Sequence, residues 1–410
     1  MANKLKGLGY LRKKLAAKEQ KVKLRYRYYE LKNEGVDFGI STPPNLRAWS
    51  SAVGWCAKGV DNMADRLVFK AFRDDAFDLN GIYRANNPDT FFASAVQSAL
   101  IASCCFVYIS VGGAGEPKMQ VIDAANATGV MDTITGMLSE GYAVLSRDDQ
   151  GHPIDEAYFT PKETVYFFKG RQTMETNHGA GFPLLVPVVY RPDAVRPFGH
   201  SRISRACMSY VGSAMRTIKR SEIAAEFYSY PQKYIMGTGQ ELDLESWKAA
   251  MDSMLVISKD EDGDKPTAGQ FQQQAMTPHL EQLRMFASLF AGETGLTLED
   301  MGFPMDVPSS ADSIKAAHES MRLACRAAQR NFGAAFRNAG FLAACIRDKQ
   351  SYTRELFLST IPVWEPIFEP DASSIGIIGD AIVKINNAAP GFFGATNIAD
   401  MIGIEAENDG

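Results

Sequence analysis

From Ser310 to Asp348 the chain runs 39 residues without a proline, rich in alanine and arginine. Helical throughout, that run is a rod of roughly 58 Å, about three times the length of an average helix. Ile314, Met321, Cys325, Ala328, Phe332, Ala335, Ala339 and Ile346 recur at helical spacing, which predicts one apolar stripe along it. Ser309 followed by Asp312 resembles a capping box and places the start there. Arg322, Arg326 and Arg330, at i, i+4 and i+8, stand together beside the stripe, either bridging to a neighbouring copy or forming a solvated face. The rod is entered from Gly302-Phe303-Pro304-Met305-Asp306-Val307-Pro308, a loop whose two prolines fix φ and let a short segment project stiffly. Phe303, Met305 and Val307 are apolar where a surface loop is ordinarily polar, so the loop either meets something or packs inward.

A chain of 410 residues, 46% hydrophobic and 22% charged, reads as soluble and globular with two or three domains. Its charge is uneven. Ten Lys/Arg against Glu19 and Glu30 give residues 1–30 a charge of +8, leaving −13 on the rest of a chain whose total is −5. That excludes a protein gripping nucleic acid over its whole surface. Six scattered cysteines without CxxC spacing read as reduced small hydrophobes in a cytoplasmic fold. Five separated histidines without HxxxH predict no metal site. The basic start lacks an apolar core and a cleavage site, so it does not read as a signal peptide. Phe91–Gly112 carries no charge, but serines interrupt it and it ends in β-branched and aromatic residues; it reads as a buried helix running into a buried strand rather than a membrane span.

Residues 3–33 read as a basic helix and 49–67 as a second, leading into a strand at LVFKAF. From 105 to 191 short alternating runs separated by Gly, Asp and Asn predict an antiparallel sheet region. After His200 a proline-free stretch reads as one helix, stopped by Pro231. A small module of strands and one helix follows, with an acidic loop Lys259–Lys265, and a second helix starts at Thr277-Pro278. IPVWEPIF reads as a strand and 372–405 as a small helical end.

Catalytic signals are weak. No phosphate-cradling GxxxxGK[ST] is present. Gly199-His200-Ser201 begins like a nucleophile elbow, but Ile203 stands where the strained turn needs glycine, so Ser201 reads as a helix N-cap. The pairs Glu299-Asp300, Asp260-Glu261-Asp262 and Asp74-Asp75 fall in turns and read as solvated rather than as acid/base pairs. The basic helix, with Tyr26, Tyr28 and Tyr29, either meets nucleic acid or a membrane surface or is docked by Leu5, Leu11, Leu15 and Val22. Long helices and little chemistry point to assembly.

Four segments together resemble the portal proteins of long-tailed bacteriophages. They are PPNLRAWSSAVGWCAKGVDNMADRLVFKAFR, with Pro44, Leu46, Trp55, Val60, Asp61, Ala64, Arg66 and Leu67; GHSRISRACMSYVGSAMRTIKRSEIAAEFYSYPQKYIMG, with Gly199, Arg202, Glu226, Pro231, Gln232 and Tyr234; AGETGLTLEDMGFPMDVPSSADSIKAAHESM running into QRNFGAAF; and the weaker GDAIVKINNAAP. The resemblance implies an α+β portal fold with an α/β wing, a two-helix stem, a small α/β clip, a long wing helix and a short helical crown. It implies a ring, usually of about twelve copies, at one capsid vertex. By resemblance, residues 1–200 form the first part of the wing, 201–228 and 276–295 the stem helices, and 229–275 the clip. Residues 296–371 take in the tunnel loop, long helix and second part of the wing, and 372–410 the crown. Ser309-Ser310 replaces the Ser-Gly of many portals, and the crown is brief, which leaves its contacts with other capsid proteins open.

The same resemblance assigns the sites. Phe303, Pro304, Met305, Asp306, Val307 and Pro308 correspond to a tunnel loop around double-stranded DNA, and Arg216, Lys219 and Arg220 stand where sparse phosphate contacts fall, or pair with Glu222 and Glu226. Trp247, Asp260, Glu261, Asp262 and Asp264 lie in the partner-binding clip. The implied partners are further copies of the chain, DNA, a terminase packaging motor, a head–tail connector, and major capsid and scaffolding proteins. The implied location is the virion vertex, with host cytoplasm during assembly. No catalysis, cofactor, metal or membrane is expected. The runner-up is another ring-forming head or connector component; a hydrolase using Ser201 is the third reading.

Overall fold

The computed structural model of the protein describes residues 5–33, 44–47, 49–113, 115–229, 233–236, 267–270, 275–304, 316–368, 372–395 and 397–398. Its helices are α1 (Leu8–Tyr29), α2 (Pro44–Arg47), α3 (Trp55–Ala64), α4 (Leu79–Arg84), α5 (Pro88–Ala102), α6 (Arg205–Ser229), α7 (Thr277–Thr294), α8 (Glu319–Arg347) and α9 (Ala372–Ala388). Its strands are β1 (Phe69–Arg73), β2 (Cys104–Val111), β3 (Pro117–Asp123), β4 (Ala127–Met131), β5 (Leu138–Arg147) and β6 (Pro153–Phe159). They continue with β7 (Glu163–Phe168), β8 (Arg171–Asn177), β9 (Leu185–Val189), β10 (Lys233–Met236), β11 (Thr267–Gln270) and β12 (Ile361–Trp364). Helix and sheet are mixed, as expected. The chain divides into two compact units, 1–33 with 54–211 and 288–410, and 34–53 with 212–287; the boundary falls inside α6 and α7.

In the larger unit, Asn87 stands at the N-cap position of α5 in the left-handed region, its side-chain amide donating to Thr90 Oγ1 and not capping a helix N–H, and Pro88 occupies the first turn, where its missing N–H costs nothing. The helix is buried over most of its length and passes through Ser103 directly into buried β2. This is the helix-to-strand transition read from Phe91–Gly112. Among the described residues no helix is long and apolar enough to cross a membrane. Strand β2 sits between β3 and β9, and β4-β5-β6-β7-β8 form a second, wholly antiparallel meander. The 105–191 region is therefore the sheet region expected.

Helix α8 packs across β9, β2, β3, α4 and β12. Phe336 on α8 meets Phe69, Phe91, Phe92 and Trp364, and its carbonyl accepts from the buried Tyr83 hydroxyl at 2.6 Å. Burial raises the Tyr83 phenol well above its ordinary range. Met321, Cys325, Ala328, Phe332, Ala335, Ala339 and Ile346 are all buried, so the stripe is correct for its described members. Residues 310–315 of the expected rod lie outside the described residues, and α8 is its described part. It spans 29 residues, about 44 Å, from Glu319, and the helical turn at Ala316–Ala317 is broken at His318. The first-turn acid Glu319 faces the helix's positive end and pairs with Arg322 at 2.5 Å, which favours a start there. The expected Ser309–Asp312 cap and Ile314 lie outside the described residues.

Helix α1 is docked, by Leu11 and Leu15 against Tyr142 and Val144 and by the buried Val22; Leu5 is exposed, because it precedes the helix. The second helix is a correction: it begins at Trp55, after the N-cap position Gly54, and leaves Trp49 outside. In the smaller unit the buried Ser51 hydroxyl donates to the Met215 carbonyl at 2.9 Å. There α6 and α7 are linked by Thr217 Oγ1 donating to Gln282 Oε1 at 3.0 Å, and β10 pairs antiparallel with β11.

Candidate functional site

The entry to α6 carries the segment read as Gly199-His200-Ser201. Gly199 has φ +72°, and a Cβ there would sit 2.0 Å from the Tyr190 carbonyl oxygen, so only glycine fits. That carbonyl accepts from the His200 backbone N–H at 3.0 Å, which closes the turn. Ser201 is not the N-cap. Its hydroxyl is buried and donates to the Ile101 carbonyl at 2.5 Å. Ser204 caps instead, accepting from Cys207 N–H at 3.1 Å. Nor is Ser201 placed as a nucleophile: His200 Nε2 lies 2.5 Å from Asp193 Oδ2 and Nδ1 3.4 Å from Arg196. The imidazole holds the Asp193 carboxyl below its usual range. The turn carboxylates are structural too. Asp75 accepts from the backbone of Leu79 and Asn80 at α4, each at 2.8 Å, and Asp300 binds Thr297. All six cysteines are buried and unbridged; burial pushes the Cys104 thiol up to about 12 and Cys325 to about 11.

Between these elements lies Arg202, which composition and spacing do not single out. Its guanidinium is buried and donates to the Gly59 carbonyl on α3 and to the Thr294 carbonyl at 2.7 Å, with Met321 Sδ of α8 at 3.5 Å. Thr294 is the last residue of α7, so a cation stands on that helix's negative end. Gly295, at φ +69°, then ends the helix with Leu296 N–H bonded back to Ala291. Thr297 and Asp300 bond reciprocally, side chain to backbone, and fix the turn that leads to Gly302. Phe303 is half-buried, its N–H on the Leu298 carbonyl at 3.0 Å, and Pro304 is exposed. The loop's root is thus anchored. Met305, Asp306, Val307 and Pro308 lie outside the described residues, as do Trp247, Asp260, Glu261, Asp262 and Asp264.

Of the three α6 residues expected to meet phosphates, Arg220 is exposed and Arg216 half-buried, donating to Ser213 Oγ at 2.8 Å. Lys219 is a correction: it is 3% exposed, because it continues the buried stripe Val211–Met215 at four-residue spacing. It presents no ammonium to a passing strand. On α8, Arg326 and Arg330 are exposed and stand beside an open groove with Arg337 and Trp364.

Helix α1 is held at both ends. Buried Glu140 on β5 accepts from Lys6 N–H at 2.8 Å, Gly7 N–H at 3.0 Å and the Tyr158 hydroxyl at 3.0 Å, a carboxylate at the helix's positive end. Arg12 pairs bidentately with Glu156, which also accepts from Tyr142; Arg25 donates to the Ala102 carbonyl and Tyr29 to Asp61. Asp61, Arg66, Trp55 and Arg202, all carriers of the resemblance, therefore sit in buried or half-buried contacts rather than on a reactive surface.

No protein-family model matches the chain. Curated relatives are named portal protein. That of Mycobacterium phage L5 is 25% identical over 382 residues, covering 87% of this chain and 77% of the relative. That of Mycobacterium phage D29 is 25% identical over 339 residues, covering 77% and 69%. Similar solved structures include a chain of the neck of a native gene transfer agent particle, computed with C12 symmetry, at 13% identity and TM-score 0.49 over 91% of this chain and 96% of that one. A chain of the virion of the native particle gives 13% identity and TM-score 0.48, covering 94% and 99%.

Proposed function

We infer that this homologue of the mycobacteriophage D29 and L5 portal proteins is itself a portal protein, forming a ring at a capsid vertex through which DNA is packaged and ejected. The observation that carries the reading is 25% identity spread over most of the chain. In this reading the ring has about twelve subunits; α6 and α7 are stem helices, 229–275 the clip, the 302–309 loop the tunnel loop, and 372–410 the crown. The α8 rod spaces an outer wing from the channel, and Arg326 and Arg330 bridge to the next subunit. Arg216 and Arg220 supply sparse phosphate contacts, and the acidic clip loop steers the packaging motor and then the connector. A body of −13 outside residues 1–30 suits a conduit, since a basic wall would hold DNA by counterion release at every contact. None of these roles requires catalysis.

Negative-stain microscopy and native mass spectrometry of the purified protein, alone and co-expressed with its scaffolding protein, test the reading. Closed rings of uniform subunit number are expected. A monodisperse monomer under both conditions overturns it.

A further inference from the structure

Helix α1 closes one side of a cavity of about 570 Å³ whose other walls come from β2, β4 and the 195–199 segment. Among the described residues six cations line it, Lys6, Lys14, Lys18, Lys21, Arg25 and Arg196, and no carboxylate does. Neighbouring acids are already engaged: Glu140 by the α1 N-terminus, Glu19 by Lys23 at 2.7 Å and Arg147 at 3.6 Å, and Asp123 by the Ala125 N–H and the Asn126 amide, each at 2.7 Å. Lys14, Lys18, Lys21 and Arg25 fall at i, i+4, i+7 and i+11, a single row about 17 Å long with steps of roughly 5–6 Å. Lys14 donates to the Gly129 carbonyl and Arg25 to the Ala102 carbonyl, and each keeps further N–H groups. Desolvation first, and then the neighbouring Lys6 and Lys18, lower the Lys14 pKa. One wall is aromatic: Phe198 lies half-buried, 6.1 Å from Phe106 and with Lys14 Nζ 4.7 Å from its ring.

We propose that this cavity binds a single strand of nucleic acid, with phosphates along the Lys14–Lys18–Lys21–Arg25 row and a base against Phe198. A charged row beside an aromatic platform is what a single strand requires. A duplex hides its bases and is too wide for the cavity. A membrane surface does not fit, because α1 spends its apolar face (Leu11, Leu15, Val22) on the sheet and keeps none for lipid. An acidic peptide brings its charges one side chain at a time and leaves most of the row unmet. The cavity is built within one chain, so the proposal stands apart from ring formation.

The test is fluorescence anisotropy of the full-length protein with a labelled thymidine oligomer of about 12 nucleotides. Four phosphate contacts predict a log–log salt slope of about −3, a roughly 50-fold loss of affinity between about 50 and 200 mM salt. Lys18→Gln with Lys21→Gln, both exposed and so compatible with folding, should halve the slope and reduce that loss to roughly sevenfold. Phe198→Ala should weaken binding roughly tenfold through lost stacking. The proposal is overturned if the oligomer does not bind, or if the lysine variants, native by circular dichroism, keep the wild-type affinity and slope. It is equally overturned if the duplex of the same sequence binds as tightly, or if poly-glutamate or phosphatidylglycerol vesicles displace the oligomer at equal charge. Ring assembly is read separately, so a failure here leaves the portal reading intact.

Discussion

Replacing Arg202 with methionine keeps volume and flexibility but removes the donors that tie α3, the end of α7 and α8 together. Two buried carbonyls, Gly59 and Thr294, then lose a charged partner. Each unsatisfied buried carbonyl costs about 1–3 kcal/mol. Against this, methionine is spared the desolvation of a buried guanidinium, a relief that has made some buried-charge replacements neutral. The loss should nevertheless win, because the Thr294 carbonyl belongs to a helix C-terminus whose partial negative charge already compensates the cation. A net cost of about 3 kcal/mol remains, which lowers the thermal midpoint by roughly 4–5 °C for a unit of this size. Trp55, 5.8 Å from Phe290, reports the junction by its fluorescence. Arg202→Lys should recover about half, since one ammonium has the reach and hydrogens for one carbonyl better than for both. An Arg202→Met protein as stable as wild type would show that desolvation outweighs the two hydrogen bonds.

Gly199→Ala should cost about 3–5 kcal/mol, because a left-handed backbone and a 2.0 Å approach to the Tyr190 oxygen leave no room to relax; a midpoint within a degree of wild type would refute that. Alkaline stability follows from the tyrosines: burial pushes the phenols of Tyr26 and Tyr158 up to about 12, against about 10 unfolded. A raised folded pKa gives stability that is complete below pH ~10 and lost as pH climbs from there towards ~12. Tyrosinate absorbance should therefore appear together with unfolding, and full ionisation of a still-folded protein near pH 10 would contradict the burial. Under the proposed function, Asp306→Lys should leave rings intact and slow DNA packaging, with the effect fading at high salt; packaging at the wild-type rate in low salt counts against the tunnel-loop assignment.

The elements read most accurately are those whose cause is local. The Phe91–Val111 transition is visible because a charge-free run changes from alanine-rich to β-branched, and burial on both sides follows. The α8 stripe is visible because seven positions share one helical face. Where a residue has two local options, tertiary contact decides. Ser201 and Ser204 both offer a capping oxygen one turn apart, and the Ile101 carbonyl claims the first. Lys219 belongs by composition to a basic cluster and by periodicity to the Val211–Met215 stripe, and the stripe prevails. Composition and spacing single out neither Glu140 nor Arg202, since the Lys6 and Gly7 amides and the Gly59 and Thr294 carbonyls that they bind lie more than 90 residues away in the chain.

The N-terminal charge is the sharpest case. A total of +8 over residues 1–30 is legible, but a sum does not say where each cation goes. The fold spends Arg12 on Glu156, then turns Lys14, Lys18, Lys21 and Arg25 along one wall of a cavity that is lined, among the described residues, by no carboxylate. Placed in one row beside Phe198, with Glu19 already paired to Lys23, these cations offer an incoming line of phosphates consecutive partners, and binding releases the counterions that each side otherwise holds.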